Sequence, residues 1–360
     1  MVSKHHYAIE LGKRGNNVLF LNPPDRKCGK RFSLIPSGHQ GVTLISHSLL
    51  FPYILKFHLL PLFHFLMRWH IKYLLRQIGQ PIDIVWSFDI GNIYPLRFFP
   101  STAKKIFHPV DEPLNKAAIN SAKGADILFS VTNEIIGKYA GLRLPSYFVN
   151  HGVQEKFLEH GVIENVNKPI RIGFSGNLLR KDIDRETLIT IIKSNQEVVF
   201  DFWGSLSAKN ANMGGIEDVD LTKFIQQLDT CANVRLNGVL KTDELALAYS
   251  SVDGFLICYD IQKDQSKGTN YHKIMEFLGT GKVVVSNNVT TYKDFPGMLV
   301  MSDSRLDNNK LPEIFRSVVS DIGRFNSPEL VEARRMFAAN NTYSCQVEKI
   351  EEYLLAEFEV

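Results

Sequence analysis

The sequence predicts an α/β protein made of two doubly wound, Rossmann-like domains in series. Short apolar runs alternate with helix-length amphipathic segments, the pattern of a parallel sheet covered on both faces. That alternation restarts after a polar stretch near 160–169, which splits the chain into two comparable halves. The 360 residues are 44% hydrophobic, with 24 Phe, 12 Tyr and 3 Trp, enough to fill two cores and to exclude general disorder.

The first half opens on a helix. Ser3 is its expected cap, Tyr7, Ala8 and Leu11 share a face, and Gly12 or Gly15 ends it before the strand Val18-Leu19-Phe20-Leu21. A helix leading into a buried strand is half of a βαβ unit. The strand expected before it is missing from this sequence, so a truncated N-terminus is the expectation. Residues 49–76 are strongly apolar and aromatic, but Pro52, Pro61, Lys56, Arg68 and three histidines break any run long enough to span a bilayer. The segment reads as a helical hairpin on the first sheet or as an interfacial helix whose Lys56, Arg68, Lys72 and Arg76 meet lipid phosphates. Strands follow at 84–88, 105–108, 127–131 and 146–149, with helices near 114–123 and 133–140 between them.

The second half repeats the theme. Strands are expected at 170–174, 198–204, 234–238, 254–259 and 283–286, with helices at 184–194, from Thr242, and at 271–279. An amphipathic helix closes the chain at 340–358. The predicted domains are 1–165, 166–339, and a C-terminal helix, 340–360, packing back toward the first domain.

Net charge is +3 overall, yet residues 1–167 carry 19 Lys+Arg against 11 Asp+Glu, and the remainder 22 against 27. The basic excess falls in the first eighty residues, pointing to an anionic partner for that half alone. Cys28, Cys231, Cys258 and Cys345 lie far apart without CxxC or zinc-like spacing, and no secretory signal is visible. A cytoplasmic protein, peripheral on the inner face of the cell membrane through 49–76, is the expectation.

The densest chemical signal is DGFLICYDIQKDQSKGTNYHKIMEFLGTGKVVVSN, 253–287. A helix starting near Asn270 would leave the N–H groups of Gly268, Thr269, Asn270 and Tyr271 free for an anion at its positive end, with Lys273 near a phosphate and Glu276 at ribose height. On an ordinary helix, Lys273 and Glu276 would be no more than a solvated i,i+3 pair. Asp218-Val219-Asp220 has the form of a metal-binding DxD but follows a Gly-rich polar stretch rather than an apolar strand, so no metal site is assigned. No GxGxxG, GxxxxGK[ST] or GxSxG occurs, which argues against dehydrogenase, NTPase and hydrolase classes.

Four blocks in order resemble the nucleotide-sugar glycosyltransferases of the GT-B fold, of the retaining family-four type. They are FVNHGV (148–153), RIGFSGNLLRKDID (171–184), NVRLNGVLKTDELALAYSSVDGFLICY (233–259) and KIMEFLGTGKVVVSN (273–287). The resemblance implies two Rossmann-like domains facing each other across a cleft, and a donor site in the second. Glu276 would hold the ribose, with Gly176, Asn177, Arg180 or Lys181, Gly268, Thr269, Asn270 and Lys273 around the diphosphate. His108 and Asp111, ending a strand of the facing domain, are the catalytic candidates, with Asp89, Asn92, His5 and His6 looking into the same cleft. The family places two glutamates eight residues apart, and here the first position is Gly268, so that contact is lost or supplied differently. The implied reaction moves a sugar from a nucleotide-diphosphate donor to a glycan or lipid-linked acceptor in cell-surface polysaccharide synthesis, without metal, resident cofactor or nucleic acid. A nucleotide-sugar epimerase of the same fold, or an inactive binding remnant, is the alternative.

Overall fold

The computed structural model describes residues 2–25, 31–160, 169–206 and 219–358. The chain divides into two compact units, one of residues 1–150 with 343–360, the other of 151–342. The boundary therefore lies between Asn150 and His151, inside the NHG turn and ahead of the polar stretch near 160–169 that the sequence pattern points to.

In the first unit, β1 (Val18–Leu21), β2 (Phe32–Pro36) and β3 (Val42–His47) form one sheet in the order β1-β3-β2. β1 and β3 run parallel, Val18 opposite Val42, and β2 is antiparallel to β3. A second, all-parallel sheet holds β4 (Ile84–Ser87), β5 (Lys104–Phe107), β6 (Ile127–Ser130) and β7 (Ser146–Phe148) in chain order. β1 and β4 belong to separate ladders, and both are only half-buried, whereas β6 is buried throughout. Short helices α4 (Lys116–Asn120) and α5 (Asn133–Tyr139) connect these strands, capped by the side chains of Asn115 and Thr132.

Helix α1 (Ser3–Lys13) is not capped by Ser3, which lies inside it; Val2 N–H donates to His5 Nδ1 at 3.1 Å instead. Its buried Tyr7 packs against Trp86 and Phe88 at ring separations of 5.2 and 5.8 Å. The last helix, α14, spans Tyr343–Phe358 and belongs to this unit. Arg14 clasps it through Glu348 (2.8 Å), Glu351 (3.0 Å) and Ser344 Oγ (2.9 Å), and Tyr353 stacks on Tyr147 at 4.1 Å.

The apolar segment forms α2 (Leu55–His58) and α3 (Leu60–Ile78). Pro61 sits in the first turn of α3, where its missing N–H costs nothing. Phe63, Met67, His70, Ile71 and Leu74 bury one face. The opposite face leaves Phe65 57% and Trp69 63% exposed, beside exposed Phe57 of α2. No helix among the described residues is long and apolar enough to cross a membrane. Beneath α3, His70 Nε2 lies 2.9 Å from His47 Nδ1, and His47 Nε2 lies 2.7 Å from the Tyr94 hydroxyl, which donates to Asn22 O.

The second unit carries six parallel strands, β8 (Arg171–Ser175), β9 (Val199–Trp203), β10 (Val234–Leu236), β11 (Gly254–Ile257), β12 (Val283–Ser286) and β13 (Val300–Met301), in the order β10-β9-β8-β11-β12-β13. Its helices are α6 (Lys156–Glu159), α7 (Arg185–Ser194), α8 (Val219–Asp229), α9 (Thr242–Ser250), α10 (Lys273–Gly279), α11 (Leu311–Ser320), α12 (Ile322–Phe325) and α13 (Pro328–Ala339). Asp184 caps α7, and the Lys241 N–H donates to Glu244 at the start of α9, so Thr242 is a helical residue rather than the cap. Strand order runs outward in opposite directions from β8 and β11. Such a reversal opens a crevice at the carboxyl ends of those two strands, where ligands of open parallel sheets bind.

Candidate functional site in the second unit

Three chain segments meet at that reversal. β8 ends in Ser175-Gly176-Asn177, β11 continues to Tyr259, and α10 starts at Lys273. The Lys273 ammonium donates to the Ser175 carbonyl and to the Tyr259 hydroxyl, the latter at 2.6 Å, and it abuts Gly176. An ammonium has three donors, so one N–H is left over among the described residues. Asn177 turns its side chain inward to accept the Leu179 N–H at 3.0 Å. One turn into α10 lies Glu276, its side chain 13% exposed, with His272 Nδ1 3.7 Å from Oε1. Burial pushes the Glu276 carboxyl up to about 7, against the opposing pull of Lys273. Burial together with the Lys273 charge lowers His272 to about 4, so that imidazole is neutral near pH 7. His151 meets His272 edge-on at 5.6 Å. Neither histidine carries a motif that marks it in the sequence.

The helix begins at Lys273 rather than Asn270, and the amides expected to greet an anion are partly spent. Gly268 N–H donates to Asp264 Oδ2 at 3.1 Å and Thr269 N–H to Ser266 O at 3.0 Å. Thr269 and Asn270 are buried. Gly268 has φ +65°, and a Cβ there would lie 2.7 Å from the Asn288 carbonyl. A glutamate at this position would clash with that backbone, so its absence is built into the loop. Asp264, wholly buried, also takes Tyr271 Oη at 2.8 Å and Ser266 N at 3.0 Å. Its signal in the sequence was the Asp-rich turn YDIQKDQSKG, which offers side-chain acceptors to a loop backbone.

Arg180 is 42% exposed, and its guanidinium pairs with Asp182 and lies 3.3 Å from Asp264. Lys181 is exposed. Asp218 lies outside the described residues, as does the side chain of Asp220, so the DxD motif has no structural description.

The remaining candidates belong to the first unit. His108 does not present an open face to a ligand. It is wholly buried between the rings of Phe88 (4.9 Å), Tyr7 (5.3 Å) and Trp86 (5.9 Å), and burial lowers it to about 3. It is a neutral core imidazole here. Asp111 is exposed. Asp89 accepts the N–H groups of Gly91 (2.8 Å) and Ile93 (2.6 Å), which folds its own loop, and Asn92 adopts φ +52°. His5 stacks on Phe20 and His6 on Tyr343.

No protein-family model matches the sequence, and no curated protein matches it. Solved structures do. Sucrose-phosphate synthase (tll1590) from Thermosynechococcus elongatus superposes with a TM-score of 0.69 at 13% identity, covering 98% of this chain and 92% of that one. The apo structure of OtsA gives 0.70 at 10% identity, covering 99% and 96%. Anabaena Alr3699/HepE in complex with UDP and glucose gives 0.62 at 13% identity, covering 94% and 99%. The two Rossmann-like units of this chain thus have the GT-B fold.

Proposed function

We propose that this protein is a glycosyltransferase that moves a sugar from a nucleoside-diphosphate donor to a glycan or lipid-linked acceptor. The observation that carries the reading is the placing of Lys273 and Glu276 in the first turn of α10, where the strand order reverses. A carboxylate there can accept two ribose hydroxyls, while the leftover N–H of Lys273 meets phosphate charge. Anabaena HepE, of the same fold, was captured with UDP and with UDP-glucose, which favours a uridine donor. Transfer requires the leaving diphosphate to be stabilised and the acceptor hydroxyl aligned. Lys273 and Lys181 supply positive charge without a metal or resident cofactor, and the retaining course follows from the family resemblance. Asp111, in the first unit, is the exposed carboxylate we assign to the acceptor. A panel of UDP, GDP, dTDP and CMP tests the donor: a ligand of the native state raises the melting temperature by mass action. UDP should give the largest rise, and no rise with any of the four would overturn the reading.

The acceptor assignment rests on α2 and α3. Leu62, Phe65 and Trp69 alternate with Arg68, Lys72 and Arg76 on the face of α3 away from its buried residues. No Asp or Glu occurs between Asp25 and Asp83 to offset those cations. Such a face suits the inner surface of the cell membrane, where a lipid-linked acceptor for cell-surface polysaccharide would lie. Each cation near an anionic leaflet contributes about 1 kcal/mol. Replacing Lys56, Arg68, Lys72 and Arg76 by Gln should therefore release the protein from phosphatidylserine vesicles. Failure of the wild type to sediment with such vesicles would remove the membrane from this proposal.

A further inference from the structure

Arg180 and Lys181 are adjacent cations beside the donor site, and the structure treats them differently. The Arg180 guanidinium is already committed. Nε donates to Asp182 Oδ1 at 2.7 Å, Nη2 reaches both Asp182 and Asp264, and the plane lies over the Tyr259 ring at 5.1 Å. Both carboxylates are buried, with side-chain exposures of 9% and 0%. One positive charge thus faces two negative ones, and a diphosphate approaching that guanidinium would meet net repulsion. The surrounding backbone closes the same seam. Asp260 N donates to Asp182 O at 2.7 Å, Ile183 bridges Tyr259, and Asp184 N donates to Cys258 O at 3.1 Å. From Asp264 the network continues into Ser266, Gly268 and Tyr271, the segment leading directly to Lys273 and Glu276. Lys181, by contrast, is exposed and makes no ion pair among the described residues.

We propose that Arg180 is a positioning residue that bolts the loop after β8 to the loop after β11, and that direct anion contact falls to Lys181 and Lys273. This rests on the donor-site reading above. Arginine suits the task because its planar fork can hold two carboxylates at once while stacking on an aromatic ring, which a lysine ammonium cannot do. Removing the bolt should loosen both loops together and weaken every ligand of the site alike. Removing an anion contact should weaken only ligands that carry phosphate.

Calorimetry with UDP and uridine on K181Q, R180Q and R180K separates the two roles, with hydrogen exchange of 177–184 and 259–271 as a second readout. K181Q should lose about tenfold in UDP affinity with uridine unchanged, the loss expected of one charge-assisted hydrogen bond. R180Q and R180K should weaken UDP and uridine by the same factor and speed exchange in both segments. R180K retains the charge, so it keeps the experiment open if R180Q does not fold. The proposal fails if R180Q weakens UDP but not uridine, if R180K restores UDP binding, or if exchange in either segment is unchanged. A wild type that binds neither ligand would sink the donor-site reading, while the exchange data would still decide the bolt.

Discussion

Replacing Glu276 by alanine is expected to weaken UDP binding by more than about tenfold, because hydrogen bonds to a charged acceptor contribute about 1.5–3 kcal/mol each. The pH dependence should be as diagnostic as the loss. Burial holds the carboxyl near 7, above its ordinary value of 4.5, so the folded protein favours the protonated acid. Burial penalises only the charged form, so stability is highest below the ordinary value and falls as pH rises through about 7. A ribose donating two hydroxyls reverses the preference by solvating the carboxylate. Affinity for uridine, which has no phosphate to titrate, should therefore rise between about pH 6 and 8 and then level off. Glu276→Gln should bind more weakly and lose that slope. Calorimetry across this range checks both points, and unchanged binding by Glu276→Ala would remove the residue from the site.

How much of this was legible depended on whether a residue's role was set locally. β9, β11 and β12 are runs of four or five residues dominated by apolar or aromatic side chains, and their burial in the sheet follows from that alone. The i,i+3 spacing of Lys273 and Glu276 likewise placed both at one end of a helix. β3, VTLISH, holds the β-branched Val42, Thr43 and Ile45, but Leu44-Ile45 and Ser46-His47 break the apolar–polar alternation that would mark a strand. β2 carried little: it holds Ser33 and Pro36, and leaves Leu34 and Ile35 exposed, so its form comes from pairing with β3. The start of α10 depended on which groups of the preceding loop accept its amides. Asp264 and Ser266 take the N–H groups of Gly268 and Thr269, which a helix starting near Asn270 would have left free. His108 shows the same limit: a histidine at a strand end faces ligand or core according to which rings close over it, and here one is Tyr7, a hundred residues away in sequence.

Gly204→Ala is expected to be the most damaging single-methyl change in the second unit, at about 3 kcal/mol or more. The residue follows β9 with φ +144°, a conformation essentially reserved for glycine. Its N–H donates to Gly238 O at 2.7 Å, which fixes it from one side. On the other, an added Cβ would fall 1.7 Å from the Gly176 carbonyl oxygen, an impossible contact that only backbone movement relieves. Gly176 is poorly free to move. Its N–H donates to Trp203 O at 2.9 Å, and Lys273 presses against the place its own side chain would occupy. The strain should therefore travel from the end of β9 through Gly176 to Lys273, lowering stability and UDP affinity together. Gly137→Ala supplies the contrast, since that glycine lies inside α5 with nothing near its absent side chain. Alanine there should raise stability by roughly 0.5–1 kcal/mol through helix propensity and a less flexible unfolded chain. Urea denaturation of the two variants compares them directly. Equal midpoints would mean that the Gly204–Gly176 contact does not hold the end of β9 in place, and the route from that contact to Lys273 would fall with it.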